Sequence, residues 1–289
     1  MGYIARARLA SAVSNAGGMG IIETSSGRLD EVREEIAKMR DLTDRPFGVN
    51  VAQMFVSDPA IVDFVAGHGV RFVTTSAGDP TRFTEAFKDA GITVFHVVPS
   101  LRGAAKAVAA GVDGLVVEGN EGGGFKAPDG ASTMVLLPLI TSRFDVPVIA
   151  AGGICDGRSM AAALVLGAEG VQMGTRMVSA AESPVHDNWK QLICRSAESD
   201  SLLLNRHAPP AFRVLRTQFS EEAERSERAV IPSLEAVHSL YFGGDLEASF
   251  AFGGQVAGRI ESVESVADII ATTGADCERI LADTARAFA

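Results

Sequence analysis

A short apolar run, a Gly-containing or polar turn and an Ala-rich helical stretch repeat along most of this chain, and that repeat restricts the fold more than any other feature. The strand candidates are residues 19–23, 47–51, 72–77, 93–98, 114–119, 147–152 and 170–174. Each is apolar at nearly every position, as parallel strands covered on both faces are. The stretches between them, such as 29–39, 59–68, 80–90 and 101–110, carry apolar residues three and four apart, the period of a helix. Ser57-Asp58-Pro59 and Gly78-Asp79-Pro80 open two of these with a capping carboxylate followed by proline. Ala-Gly or Leu-Gly pairs end several of them, the usual left-handed stop.

Such alternation implies an α/β fold, a parallel sheet joined by helical crossovers. An open doubly wound sheet and a closed TIM-type (β/α)8 barrel compete, and the strand count favours the barrel. Seven strands precede residue 180, where a closed barrel has eight. The chain starts on a helix, 4–16, with no strand before it. The simplest expectation is a first strand upstream of residue 1, with the start set at an internal Met; the alternative is a fold that lacks this strand and exposes two sheet edges. After Thr175 the rhythm changes. Residues 183–250 read as helices and loops, including the charged stretch 220–228, a helical insertion forming a lid or small substrate domain. The expected organisation is a barrel over 1–182, this insertion, and a closing helical segment over 251–289.

A net charge of −10 speaks against non-specific nucleic-acid binding, which needs a basic surface. No run of 18 apolar residues exists, so no membrane helix is expected, and the first residues lack the apolar core of a signal peptide. Cys155, Cys194 and Cys277 are odd in number and far apart, which fits a reduced cytoplasm without disulfides or a metal site.

In a parallel barrel the chemistry lies at the C-terminal ends of the strands. That rule selects Asn50; Thr74, Thr75 and Ser76; His96 and Ser100; the run Glu118-Gly119-Asn120-Glu121-Gly122-Gly123-Gly124; Gly152-Gly153; and Gly174-Thr175. The last two turns carry the strongest signal. Successive βα turns ending in Gly-Gly and Gly-Thr let backbone N–H groups approach a phosphate, and the loops after the last two strands are the recurrent phosphate site of such barrels. Glycines that merely permit tight turns are the plainer alternative.

The stretches NAGGMGIIE (15–23), PFGVNV (46–51), EGNEGGG (118–124), PVIAAGGICDGRSMAAALVLGAEGVQMGTRM (147–177) and GGQVAG (253–258) resemble the nitronate monooxygenase family, formerly called 2-nitropropane dioxygenases. That family is related to flavin-dependent enoyl-acyl-carrier-protein reductases and NADH:quinone reductases. The likeness spans nearly the whole chain and implies a barrel holding one non-covalent FMN. Carried over, Gly152, Gly153, Gly174 and Thr175 match the phosphate cradle, Asn50 a polar contact to the flavin rings, and Glu118 to Gly124, with Gly119 and Gly123, the loop beside them. Met1-Gly2 matches the tail of a Gly-Met-Gly-like turn that touches the flavin, which puts Gly2 in the cofactor site.

One position departs from the family. Its pattern Glu-x-Gly-Gly-His-x-Gly contains the catalytic His, and here that position is Phe125, which cannot transfer a proton. A nitronate is already anionic and needs no base, whereas neutral nitroalkanes are expected to be poor substrates. His96 is the best placed substitute, although a histidine satisfied within its strand is the plainer reading; His186 and His207 are further options. Lys126 could attract an anionic substrate, with a solvated surface lysine as the blander option, and Cys155 reads as a small buried filler.

Three functions follow. The leading one is an FMN-dependent oxidoreductase that oxidises alkyl nitronates with O₂. The second keeps the fold but uses NAD(P)H to reduce an enoyl thioester or a quinone. The third, of another class, is a flavin-binding homologue without turnover. The oligomeric state is open, with a homodimer among the options.

Overall fold

The computed structural model describes residues 1–207, 210–226 and 228–288; Ala208, Pro209, Glu227 and Ala289 lie outside it, so one residue of the charged stretch 220–228 is not described. In chain order the strands are β1 (Gly20–Glu23), β2 (Phe47–Ala52), β3 (Phe72–Ser76), β4 (Thr93–Val98), β5 (Gly114–Glu118), β6 (Gly124–Lys126), β7 (Val148–Ala151), β8 (Gly170–Gln172), β9 (Ser201–Leu204) and β10 (Ala211–Leu215). The helices of the barrel are α1 (Ala7–Asn15), α2 (Leu29–Leu42), α3 (Ala60–Gly67), α4 (Thr84–Asp89), α5 (Leu101–Ala109), α6 (Thr133–Thr141), α7 (Gly157–Val165) and the short α8 (Thr175–Val178). After them come α9 (Asp187–Arg195), α10 (Gln218–Glu224), α11 (Leu234–Gly243) and α12 (Val266–Ala287). Among the described residues, no helix is long and apolar enough to cross a membrane.

Seven parallel strands make one curled sheet in the order β1-β2-β3-β4-β5-β7-β8, the α/β layout of a TIM-type barrel. Its strands are the seven expected ones, with ends shifted by at most two residues. Among the described residues β1 and β8 each pair on one side only, so the sheet stays open at that seam. Of the two expected helix openings, Asp58-Pro59 leads into α3, while Asp79-Pro80 opens a three-residue 3-10 turn, Pro80–Arg82, ahead of α4. The Asp79 carboxylate accepts from the Thr81 N–H at 3.0 Å ahead of Pro80, and Asp58 accepts from the Ala60 N–H at 2.9 Å.

Two hydrophobic layers follow from the strand period of two. Val49, Val51, Val73, Val94, Val98, Leu115, Val117 and Val148 point outward and pack against the helices with Ile36, Phe87, Leu137 and Ile140. The alternate residues point into the barrel, where Phe95, Val116 and Ala151 pack with Phe72, Val97 and Ile149. A separate cluster joins Trp189, Leu240 and Tyr241 of α9 and α11 to Leu9 of α1 and to Val266 and Ile269 of α12.

The segment 183–250 departs from the expected helices and loops. It also holds β9 and β10, and β10 pairs antiparallel with both β9 and β6. The pairing is hidden locally because β6 is three residues long and follows a glycine run, while β10 is buried at all five positions despite carrying Arg213. This segment is thereby hydrogen-bonded to β6, which follows the C-terminal end of β5.

Candidate active site

The inner-face residues at the C-terminal strand ends are polar where the barrel floor is apolar. On β2 and β3 the Asn50 Nδ2 donates to Thr74 Oγ1 at 2.8 Å, and the Ser76 hydroxyl donates to Asn50 Oδ1 at 3.2 Å. This network orients the Asn50 amide at the rim. On β1, buried Glu23 accepts from Arg6 Nε at 3.0 Å and from the Ser25 N–H at 2.5 Å. Gly2 lies against this same loop, because a Cβ built on it would stand 3.1 Å from Ser25 Oγ.

Four loops interlock at the other side of the rim. The Thr133 hydroxyl donates to the Gly152 carbonyl at 2.7 Å, and the Thr133 N–H donates to Glu121 Oε1 at 2.9 Å. The Gln255 N–H reaches the Glu121 carbonyl at 2.9 Å, and the Gly254 N–H reaches Thr175 Oγ1 at 2.9 Å. These bonds join residues 118–124, 151–154, 174–175 and 253–255. Such close approach demands glycine: a Cβ on Gly119 would stand 2.1 Å from Thr133 Oγ1, and one on Gly123 would stand 2.8 Å from the Gly253 carbonyl carbon. Gly124 instead faces open space at φ +85°.

The two phosphate-turn candidates differ from these packed glycines. Gly153 has φ +80° and a built Cβ there meets nothing closer than 3.7 Å; at Gly174 it meets nothing within 4 Å. The N–H groups of Gly153, Gly174 and Thr175 donate to no acceptor among the described residues. A cradle that a Cβ would fill, edged by free N–H donors, has the geometry of a backbone anion-binding turn and suits a phosphate group. Arg176 steadies the second turn, donating from Nη1 to the Ser262 carbonyl at 2.8 Å and pairing with Glu264 at 2.6 Å.

His96 does not join this set. Its ring shares the outer face of β4 with Val94 and Val98, and Nδ1 lies 2.7 Å from Thr75 Oγ1 on the outer face of β3. Burial pushes its pKa down to about 4, so it is a neutral, structural imidazole at pH 7. A strand buried on both faces gives no sequence cue to which face points inward. His186 caps α9 by accepting from the Asn188 N–H at 3.1 Å, and His207 is exposed on the β9–β10 connection. Buried Cys155 has its thiol pKa raised by burial, which keeps it protonated and inert.

Phe125 is 42% exposed on β6, with ring centroids 6.4 Å from Phe55 and 5.1 Å from Phe212. Together with exposed Met54 it makes an apolar lip. Lys126 is not the solvated lysine of the blander expectation. It projects to the other face of β6, its side chain is 4% exposed, and Nζ lies 2.6 Å from Glu118 Oε1. Arg213 shares that face, donating from Nε to the Asn120 carbonyl at 2.7 Å, and burial lowers its pKa. Glu121, Thr133 and Arg213 hold roles here that local sequence patterns do not signal, since each depends on contacts 12 or more residues away.

Comparison with known proteins gives a consistent picture. The model of the nitronate monooxygenase family matches residues 1–64 and 52–275. A Mycobacterium tuberculosis protein named (3aS,4S,5R,7aS)-5-hydroxy-7a-methyl-1-oxo-octahydro-1H-indene-4-carboxyl-CoA dehydrogenase is 37% identical over 232 residues, covering 79% of this chain and 65% of that protein. A probable nitronate monooxygenase of Staphylococcus saprophyticus is 31% identical over 242 residues, covering 68% of each. The structure of FabK from Thermotoga maritima superposes with a TM-score of 0.92 at 35% identity, over 100% of this chain and 94% of that one. This chain spans just under two thirds of the length of the two dehydrogenases it matches, at 65% and 64%.

Proposed function

This chain belongs to the nitronate monooxygenase family, and on that premise we propose that it is an FMN-dependent oxidoreductase that oxidises alkyl nitronates with O₂. The observation that carries the cofactor is the open cradle at Gly153 and Gly174-Thr175, with its unpaired N–H donors. When bound, the flavin supplies the electron transfer between substrate and acceptor. The chain's own residues bind and orient: the Gly turns take the phosphate, Asn50 offers its amide to the ring system, and the loop from Glu118 to Gly124 walls the ring edge. With Phe125 on β6 and His96 turned outward, neither position supplies a general base to the rim, which favours a substrate that arrives already ionised. Mixing the anaerobic yellow protein with propane-2-nitronate tests this: bleaching of the flavin and turnover in air support it, and absence of both defeats it.

A second reading is supported by the apolar lip of Met54, Phe55 and Phe125 and by the carboxyl-CoA dehydrogenase name of two relatives. On that reading NAD(P)H reduces the flavin and an enoyl thioester or quinone is the acceptor. Rapid anaerobic bleaching by NADH or NADPH, reversed by crotonyl-CoA or a benzoquinone, distinguishes it. A colourless protein that cannot be loaded with FMN would support a homologue without turnover. Three unpaired cysteines suit a cytoplasmic setting. The proposed organisation keeps 1–182 as the barrel, 183–250 as the insertion over its mouth and 251–289 as the closing segment.

A further inference from the structure

Lys126 stands apart from most other ion-paired lysines. Lys38, Lys88 and Lys106 form their ion pairs with side chains 42–57% exposed, whereas Lys126 is 4% exposed. An ammonium carries three N–H donors. One of them serves Glu118 Oε1 at 2.6 Å, and the other two have no acceptor among the described residues. The other buried lysine, Lys190, reaches both the Ala181 carbonyl at 3.3 Å and Asp187 at 3.5 Å. Donors this buried call for an acceptor beyond Glu118, a demand that a bound anion meets more strongly than a water does.

The position of the ammonium says where that acceptor sits. Glu118 is the last residue of β5 and alternates with outward Val117, so it faces the barrel interior at the C-terminal rim. Gly122 packs directly against the pair, since a Cβ there would stand 2.7 Å from Glu118 Oε1 and 3.0 Å from Lys126 Nζ, so only a glycine lets the loop come this close. The same loop touches the cradle, because a Cβ on Gly152 would meet the Gly122 nitrogen at 3.2 Å. A second cation lies on the same face. Arg213 stands opposite Gly124 in the β6–β10 register, two positions from the Lys126 pairing, and has no carboxylate within 4.0 Å among the described residues. Glu121, the other nearby acid, is occupied by the Thr133 N–H and hydroxyl.

We infer that Lys126 is the anion-binding residue of this site, holding a small planar anion whose charge is shared by two oxygens, with Glu118 competing for the same ammonium. This rests on the nitronate reading and adds to it the residue that recognises the substrate's charge. Glu118 then sets the strength of binding rather than assisting it. A purely structural ion pair between β5 and β6 makes the opposite demand, since its loss can only loosen the rim.

The probe is isobutyrate, the unreactive carboxylate counterpart of propane-2-nitronate, with isobutyramide as its uncharged control. Binding to the flavin-loaded protein is measured by titration calorimetry and by the change in flavin absorbance. The expected result is at least tenfold tighter binding of the acid than of the amide. Lys126→Met should abolish that preference, Lys126→Arg should keep most of it, and Glu118→Gln should tighten the acid three- to tenfold relative to the amide measured on the same variant. Wild-type protein that does not distinguish acid from amide overturns the inference, and so does weaker acid binding in Glu118→Gln. The Glu118→Gln arm decides even if Lys126→Met fails to fold. Flavin content, read separately from the visible spectrum, tests the cofactor, and calorimetry on flavin-free protein keeps the two failures apart.

Discussion

Alanine at Gly152 and at Gly153 should act on different properties, although the two glycines are neighbours in one turn with φ +82° and +80°. A Cβ on Gly152 would stand 2.8 Å from the Gly119 carbonyl oxygen and 3.2 Å from the nitrogens of Gly119 and Gly122. All three contacts are backbone, and Gly119 is itself confined by Thr133, so nothing swings aside. Left-handed backbone with a side chain costs about 1–2 kcal/mol, and overpacking a tight contact adds about 1–3 kcal/mol. Gly152→Ala should therefore destabilise the flavin-free protein by about 2–5 kcal/mol. At Gly153 the methyl would meet nothing closer than the Glu121 carboxylate at 3.7 Å, so only the backbone strain remains. That methyl would instead occupy the cradle. Gly153→Ala should lose at least about 100-fold in FMN affinity, equivalent to about 2.7 kcal/mol. The single tryptophan, Trp189, is fully buried, so its fluorescence in urea reads the stability. Quenching of flavin fluorescence reads the affinity. FMN binding by Gly153→Ala within threefold of wild type would refute the cradle. Equal stability losses in the two variants would refute the packing argument.

Three further perturbations test other parts of the site. His96 keeps a folded pKa of about 4 against an ordinary 6.5, so below about pH 6.5 the unfolded chain takes up a proton that the folded chain refuses until about pH 4. Stability should fall across that window by up to about 3 kcal/mol; His96→Gln should remove this dependence while leaving turnover within a few-fold, and urea titrations showing the same pH slope in both proteins would sink the assignment. Phe125→His restores the family's imidazole at the lip, and oxidation of neutral 2-nitropropane should rise at least about tenfold, increasing with pH through about 6.5; an unchanged rate would place position 125 out of reach of the reacting carbon. Arg176→Met cuts the tether from α8 to Ser262 and Glu264, and should cost about 1–3 kcal/mol and weaken FMN, both measured by urea titration with and without cofactor. Unaltered values would show that the turn holds its shape without Arg176.

Much of the fold was legible because two local signals agreed. Apolar runs and turn residues marked each parallel strand to within two residues, while Asp58-Pro59 marked a helix start and Asp79-Pro80 a 3-10 turn just ahead of one, each with its side-chain hydrogen bond. The resemblance likewise led to the family whose model matches the chain. The site was legible only where the cue was backbone geometry. Gly152, Gly153, Gly174 and Thr175 stand together because adjacent parallel strands deliver successive turns to one rim. His96 carries two readings in the sequence because both faces of β4 are covered and alternation does not say which is inner; its place beside Thr75 agrees with the plainer one, a histidine satisfied within its sheet. Lys126 also reads as a solvated lysine in the sequence because β6 follows a glycine run, and only in the folded chain, where β6 pairs with β10, is its side chain 4% exposed.

The order of strands and helices along the chain and the turns that demand glycine are local properties, set by residue type and by periods of two and 3.6, and so they belong to the sequence. Which face of a doubly covered strand points inward, which distant strand closes over the rim and which cation is stripped of water are long-range properties. They follow from packing the insertion's β9 and β10 onto β6, a contact more than 80 residues apart that no local pattern encodes. The glycine turns of the proposed phosphate cradle were therefore in reach of the amino-acid order, while the Lys126–Glu118 pair beside them exists only in the folded chain.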